Sequence, residues 1–290
     1  MKITQTFKTS STKEALELLS KYGDKAKVIA GGTDLVIELR NHQIYPEVII
    51  DISSINEIRY IREENGYIHI GAGATFTDIA YSEFLGRRLE GLKKSSRLVG
   101  SPLIRNRATV GGNICNGSPA ADIVPPLLTL DAMVVIKSIK NIRQVKLEDI
   151  LLDKGKVDLS QDEILTDIIF KKPIENQRLS FSKLGLRNAL AISRICISVY
   201  LDLDDKKIIK NIRISSGAVG KHGLRERTVE DSVKGLELNQ ETVNIATEKL
   251  VEVVEERLKG RSSLQYKGVA VKSTFVEAIN EASNQSYSII

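Results

Sequence analysis

The sequence is poor in the residues that hold metals or cross-link a chain: its 290 positions include two cysteines, Cys115 and Cys196, and three histidines, His42, His69 and His222. The cysteines lie far apart and outside any C-x-x-C spacing, so neither a disulfide framework nor an iron–sulfur or zinc site is encoded here, and both are expected as reduced thiols. The scattered histidines have no companion at ligand spacing, which argues against a metal site in this chain. No stretch approaches the roughly 18 to 20 uninterrupted apolar residues of a membrane-spanning helix. The first residues, MKITQTFKTS, lack the apolar core of a signal peptide, so a cytoplasmic protein independent of the membrane is expected. A basic stripe with interleaved aromatics is missing too: the net charge is +5, but Lys and Arg are dispersed among acidic residues, which excludes nucleic acid as the expected partner. There is no G-x-x-x-x-G-K-[ST], hence no ordinary ATP or GTP loop, and no internal repeat or low-complexity tract.

What is present is an ordinary globular composition, 42% hydrophobic and 27% charged, in a chain long enough for two or three modest domains. Thr12 to Tyr22 has helical apolar spacing, and KVIA from Lys27 reads as a buried strand running into Gly31 and Gly32. Asp34 is placed to cap a helix, LVIELR, and Glu47 to Asp51 reads as a further strand. This is the pattern of a small parallel α/β layer, a first domain over 1–58. The texture then changes: YIREENGYIHIGA carries two alternating runs around Asn65–Gly66, a strong hairpin signal. Helical stretches follow at Phe76 to Phe84 and Arg88 to Val99, then a Gly-rich loop at Thr109 to Ser118, a helix from Pro119 to Leu130, and strands at Met133 to Ser138 and Ile164 to Lys171. These form a second, α+β domain over 59–175. Over 176–290 the pattern is long strands, Ser180 to Leu184, Arg194 to Leu203 and Lys207 to Ser215, then helical runs at Glu241 to Lys259 and Gly268 to Ala282, predicting a sheet with helices on one face.

Two glycine segments carry the chemistry. Val28-Ile29-Ala30-Gly31-Gly32-Thr33-Asp34-Leu35 turns a buried strand sharply into a helix. Amides exposed at such a turn, with the positive end of the helix dipole, suit a phosphate or diphosphate. Charge-assisted bonds of roughly 1.5–3 kcal/mol each would outweigh the cost of ordering one loop. The second segment, Thr109-Val110-Gly111-Gly112-Asn113 onward to Asp122, packs two glycine turns, hydrogen-bonding side chains and a carboxylate into fourteen residues, a density that suits a ligand with a phosphate, a ribose and a polar ring edge. Asp122 is either a helix cap or an acceptor for ligand hydroxyl or amide groups. Between the two, Gly71-Ala72-Gly73-Ala74-Thr75-Phe76 begins like a dinucleotide fingerprint, but Phe76 stands at the third glycine position and no parallel strand ending in an acid follows, so a structural turn is expected.

At these residues the sequence resembles a known family. AGGTDL, followed some eighty residues later by IRN-x-AT-V-GGN-x-x-x-x-SPAAD, is the signature of the medium, flavin-binding subunits of molybdenum hydroxylases. FSKLGLRNALAIS from Phe181, DEIL from Asp162 and RSSLQYKG from Arg261 extend the likeness over nearly the whole chain. The resemblance implies a vanillyl-alcohol-oxidase-like FAD fold of two α/β subdomains, with a C-terminal domain of antiparallel sheet and helices. Residues 28–35 would wrap the FAD diphosphate, Thr109 to Asn113 would run along the dinucleotide, and Asp122 would bind the adenosine half. Val99, Gly100 and Leu165 would line the pocket, and Lys183 would lie near the flavin, stabilising charge on the reduced ring. The cysteine-rich insertion of relatives that reduce aromatic CoA esters is missing, which points toward hydroxylation of xanthine or another N-heterocycle.

The resemblance further implies an electron relay within a heterotrimer or a dimer of heterotrimers. A molybdopterin-binding large subunit and a small subunit with two 2Fe-2S clusters would be the partners, and NAD+ the acceptor. The chain itself shows no triad or paired carboxylates. The rival readings are a nicotinate, other heterocycle or carbon monoxide dehydrogenase subunit, a free-standing flavin oxidoreductase, and a nucleotide-sensing module.

Overall fold

The computed structural model describes residues 3–187 and 190–289. The first unit contains β1 (Gln5–Lys8), α1 (Thr12–Tyr22), β2 (Ala26–Ile29), α2 (Leu35–Arg40) and β3 (Val48–Asp51). The strands form a parallel sheet in the order β1-β3-β2, which bears out the small parallel layer. Ser11 opens α1 by accepting the Glu14 amide, and Ala15, Leu16 and Leu19 face Val48 and Ile50. β1 was not foreseen. Its sequence QTFK has a single half-buried side chain and no alternating run.

The second unit begins with the hairpin of β4 (Ile61–Glu64) and β5 (Tyr67–Gly71), whose turn residues Asn65 and Gly66 have φ of 51° and 78° as a primed turn requires. Then come α3 (Phe76–Ala80), α4 (Glu90–Arg97), α5 (Pro102–Arg105), α6 (Val110–Asn116), α7 (Val124–Thr129), β6 (Met133–Lys137), β7 (Ile142–Lys146), α8 (Leu147–Ile150), β8 (Leu151–Asp153), β9 (Lys156–Val157) and β10 (Ile164–Lys171). Five strands make an antiparallel sheet, β4-β5-β10-β6-β7, while β8 and β9 pair separately. Ile68, Ile70, Val134, Ile136, Ile168 and Phe170 turn one face of this sheet toward the helices, where they meet Leu92, Val110, Ile114 and Leu127. Ile164 leaves that core and packs with Ile52, Ile55 and Ile58 in the first unit, joining the two.

The third unit has β11 (Gln177–Gly185), β12 (Ser193–Leu203), β13 (Ile209–Gly217) and β14 (Leu224–Arg225) in one antiparallel sheet, followed by α9 (Arg227–Val233), α10 (Gln240–Arg257) and α11 (Leu264–Ser283). Ile195, Ile197, Val199 and Leu201 face Leu250, Val254, Phe275 and Ile279 of the two long helices. The opposite face is also covered, since Tyr200 joins the second unit's core and Ser198 Oγ lies 3.2 Å from Thr129 Oγ1. That double burial explains the unbroken run of non-charged residues from Ile195 to Leu201. Among the described residues no helix is long and apolar enough to cross a membrane.

The third unit is also pinned to the second by charge: Arg227 of α9 donates twice to Glu148 of α8, both at 2.6 Å. Those bonds hold the Glu148 carboxyl below its usual 4.5. A depressed acid contributes stability that is present above its unfolded value and lost as pH falls through the folded one. The chain is therefore expected to lose thermal stability below pH 4.5, with a shallower fall in Glu148→Gln. Identical slopes of melting temperature against pH in the two proteins would count against this attachment.

Candidate functional site

β2 delivers the chain into the first glycine segment, and β3 holds its end through the Ile52 amide on the Ile29 carbonyl at 2.9 Å. Gly32 sits at φ +73°, and a Cβ on Gly31 would fall 2.0 Å from the Arg107 carbonyl oxygen. The backbones of the two motifs thus touch, although more than seventy residues separate them in sequence. Among the described residues, none of the amides of residues 31–35 has a protein acceptor. The free N–H groups run directly into α2. Asp34 was expected to cap that helix; instead its carboxylate takes the Thr33 hydroxyl at 3.2 Å and makes no capping bond. A recess of about 50 Å³, lined by Ala30, Gly31, Ser53, Arg59, Arg107 and Thr109 among others, opens beside the contact. By the usual allowance of about 10–15 Å³ per water it has room for a few water-sized groups.

The second segment differs from its expectation. Thr109 to Ser118 is not an open loop: Val110–Asn116 is helical, capped by Thr109 Oγ1 on the Gly112 amide at 3.1 Å. The amides of Val110 and Gly111 go to the carbonyls of Ala74 and Ala72 at 3.0 and 2.9 Å, and that of Asn113 to Thr109 O at 3.0 Å. These N–H groups are spent inside the protein. Gly111 is needed for the approach, since a Cβ there would lie 2.6 Å from the Ala72 Cβ. The segment Gly71 to Phe76 is a turn, as expected, and it also supports α6; its Thr75 forms a reciprocal capping box with Asp78 of α3. Gly112 stays exposed, while Asn113 Oδ1 is buried and has no hydrogen-bond partner among the described residues.

Asp122 is not a helix cap either. It precedes α7, which lacks a side-chain cap, and lies 5% exposed. Lys183 Nζ of β11 reaches its Oδ2 at 2.5 Å and the Leu98 carbonyl at 3.1 Å, and the Ser193 hydroxyl takes Oδ1. Burial pushes the Asp122 carboxyl up from its usual 3.8, against the pull of Lys183, Ser193 and the Cys196 thiol. The thiol of Cys196 is itself raised, first by burial and then by Asp122. Val99 and Gly100 follow Leu98 directly, and Arg105 Nη1 holds both their carbonyls at 3.1 and 3.0 Å. Leu165 stands apart from both glycine segments' contacts: it is 3% exposed, paired with Ile136 in the sheet and packed in the second unit's core. Leu98, Ser193 and Cys196 were not singled out from sequence, and neither was Arg107. Nothing in their spacing marks them, because each acts through a long-range contact.

Residues 2–172 match the family of the FAD-binding domain in molybdopterin dehydrogenase, and residues 180–282 match the CO dehydrogenase flavoprotein C-terminal domain. The chain belongs to this family and is an FAD-binding medium subunit of the molybdenum hydroxylases. It is 37% identical over 279 residues to the nicotinate dehydrogenase FAD-subunit of Eubacterium barkeri, covering 95% of this chain and 94% of that one. It is 32% identical over 271 residues to the xanthine dehydrogenase FAD-binding subunit of Escherichia coli O157:H7, covering 93% and 92%. Among solved structures, a carbon monoxide dehydrogenase from Hydrogenophaga pseudoflava superposes with a TM-score of 0.90 at 26% identity over 97% of both chains. The expected α+β fold, FAD-binding domain followed by CO dehydrogenase flavoprotein C-terminal domain, is borne out.

Proposed function

We propose that this chain is the FAD-carrying relay of an N-heterocycle hydroxylase of the xanthine or nicotinate dehydrogenase type, passing electrons from the 2Fe-2S clusters of a small subunit to NAD+. The observation that carries the reading is the row of unpaired amides at residues 31–35, closed against the Arg107 backbone at a glycine with no room for a side chain. The names of relatives at 37% and 32% identity support the heterocycle, and the absence of a cysteine-rich insertion agrees. The partners in this reading are a molybdopterin-binding large subunit and the small subunit, in a heterotrimer or its dimer, in the cytoplasm.

Bound FAD supplies the exchange between single-electron and hydride transfer; the chain supplies position and electrostatics. Val28 to Ile29 end the strand that aims the loop, and Ala30 to Leu35 hold the diphosphate through their amides. Thr109 to Asn113 form a wall whose exposed Gly112 lets the dinucleotide lie close, and Asn113 Oδ1 accepts a hydrogen bond from it. Lys183 and Asp122 share one ion pair, so they serve a single region of an extended dinucleotide rather than its two opposite ends. Together with Val99 and Gly100 they form the far wall. Leu165 supports the site from the core.

Full-length chain incubated with FAD is expected to retain a flavin spectrum through gel filtration. Assembled with its large and small subunits, it should reduce NAD+ with xanthine or nicotinate as donor. A chain that leaves the column colourless and does not quench FAD fluorescence would overturn the flavin reading. A flavin-bearing complex that reduces ferredoxin but not NAD+ would overturn the acceptor.

A further inference from the structure

We propose that Arg107 is the cation that neutralises the diphosphate of the bound dinucleotide, a role that rests on the FAD reading above and that no motif assigns, since Arg107 stands at the position left open in IRN-x-AT. Its main chain is fixed at the cradle: its carbonyl lies where a Gly31 side chain would project, its amide bonds Ile104 O at 3.0 Å, and it lines the same recess as Ala30, Gly31 and Thr109. Its side chain is exposed, and among the described residues its guanidinium has no acceptor. The neighbouring arginines are committed. Arg59, in the same recess, donates to both Asp78 oxygens at 3.1 and 3.2 Å, and Arg105 is held by the Val99 and Gly100 carbonyls.

The charge balance asks for such a group. The cradle itself carries an exposed carboxylate, Asp34, so amides alone would have to hold a dianionic diphosphate beside a third negative charge. A guanidinium offers paired N–H groups to phosphate oxygens and stays ionised at any working pH. With its main chain held against Gly31, Arg107 would bring the local charge back toward balance.

The test is equilibrium titration of full-length wild type, R107M and R107K with FAD at low and high salt. The Arg107 side chain is exposed and makes no hydrogen bond or ion pair among the described residues, so the variants should melt as the wild type does. R107M is expected to bind FAD about 10- to 100-fold more weakly, with a flatter dependence on salt because one exposed ionic contact is gone; R107K should recover most of the affinity. FAD binding by R107M at wild-type strength and with wild-type salt dependence would overturn the assignment while leaving the flavin reading intact. A wild-type chain that binds no FAD at all would overturn both.

Discussion

Gly31→Ala is expected to cripple cofactor binding more than any other single methyl group added to this chain. The new Cβ would sit 2.0 Å from the Arg107 carbonyl oxygen, a separation no real contact permits. The obstacle is backbone on both sides, so relief requires moving either the row of free amides or the turn that leads into α6. Overpacking of this kind costs about 1–3 kcal/mol in stability. Displacing even one amide from the diphosphate forfeits a charge-assisted bond of about 1.5–3 kcal/mol, which corresponds to roughly a 10- to 150-fold weaker FAD dissociation constant. Gly86→Ala is the matched control, because its Cβ would meet nothing within 4 Å and its φ of −53° suits any residue. Titration of both variants with FAD, together with their melting temperatures, decides the matter. A Gly31→Ala chain that binds as tightly as Gly86→Ala would mean that the contact between the two motifs is not what shapes the cradle.

The second large effect belongs to Asp122. Lys183 is 7% exposed in the native pair, and replacing Asp122 with alanine leaves its ammonium, among the described residues, with the Leu98 carbonyl as its remaining acceptor. Removing one partner of a buried ion pair costs about 3–5 kcal/mol, because the remaining charge is stranded in a low-dielectric setting. The pair joins α7's leading turn to β11, so the loss should appear as a lower urea midpoint and as a looser attachment of the third unit. Asp122→Ala combined with Lys183→Met removes both charges and should recover most of the stability, since a buried pair is often no better than an apolar replacement of similar volume. If the double variant is as unstable as the single one, the penalty comes from packing or from the Ser193 hydrogen bond rather than from stranded charge.

How much of this was legible before the structure varies by element, and for physical reasons. α1, the Asn65–Gly66 hairpin and the long strands of the third unit follow from local pattern because their apolar residues repeat at the period of the element they form. α6 did not. Its sequence VGGNICN is dominated by poor helix formers, and what holds it helical is a local threonine cap and, from outside the segment, two amides tied to the Ala72 and Ala74 carbonyls in the turn after β5. The same bonds explain why, of the two glycine motifs, the first presents free amides and the second does not. Asp122 and Lys183 were each named from sequence as candidate positions, but their pairing, 61 residues apart, was not. The contact of the Arg107 carbonyl with Gly31, more than seventy positions away, is one that a motif with an open position cannot convey.

Among its residues α2 has none buried, although it reads Leu-Val-Ile-Glu-Leu-Arg, and Ile37 is 56% exposed. A helix without an interior draws little of its order from the fold beneath it, and six residues are too few to be stable on propensity alone. Its first turn begins at the very amides that a diphosphate would occupy, so the ligand supplies the missing half of its support. Empty and filled, the protein should therefore differ less in shape than in local stiffness, with residues 33–43 exchanging their amide hydrogens quickly until the dinucleotide arrives.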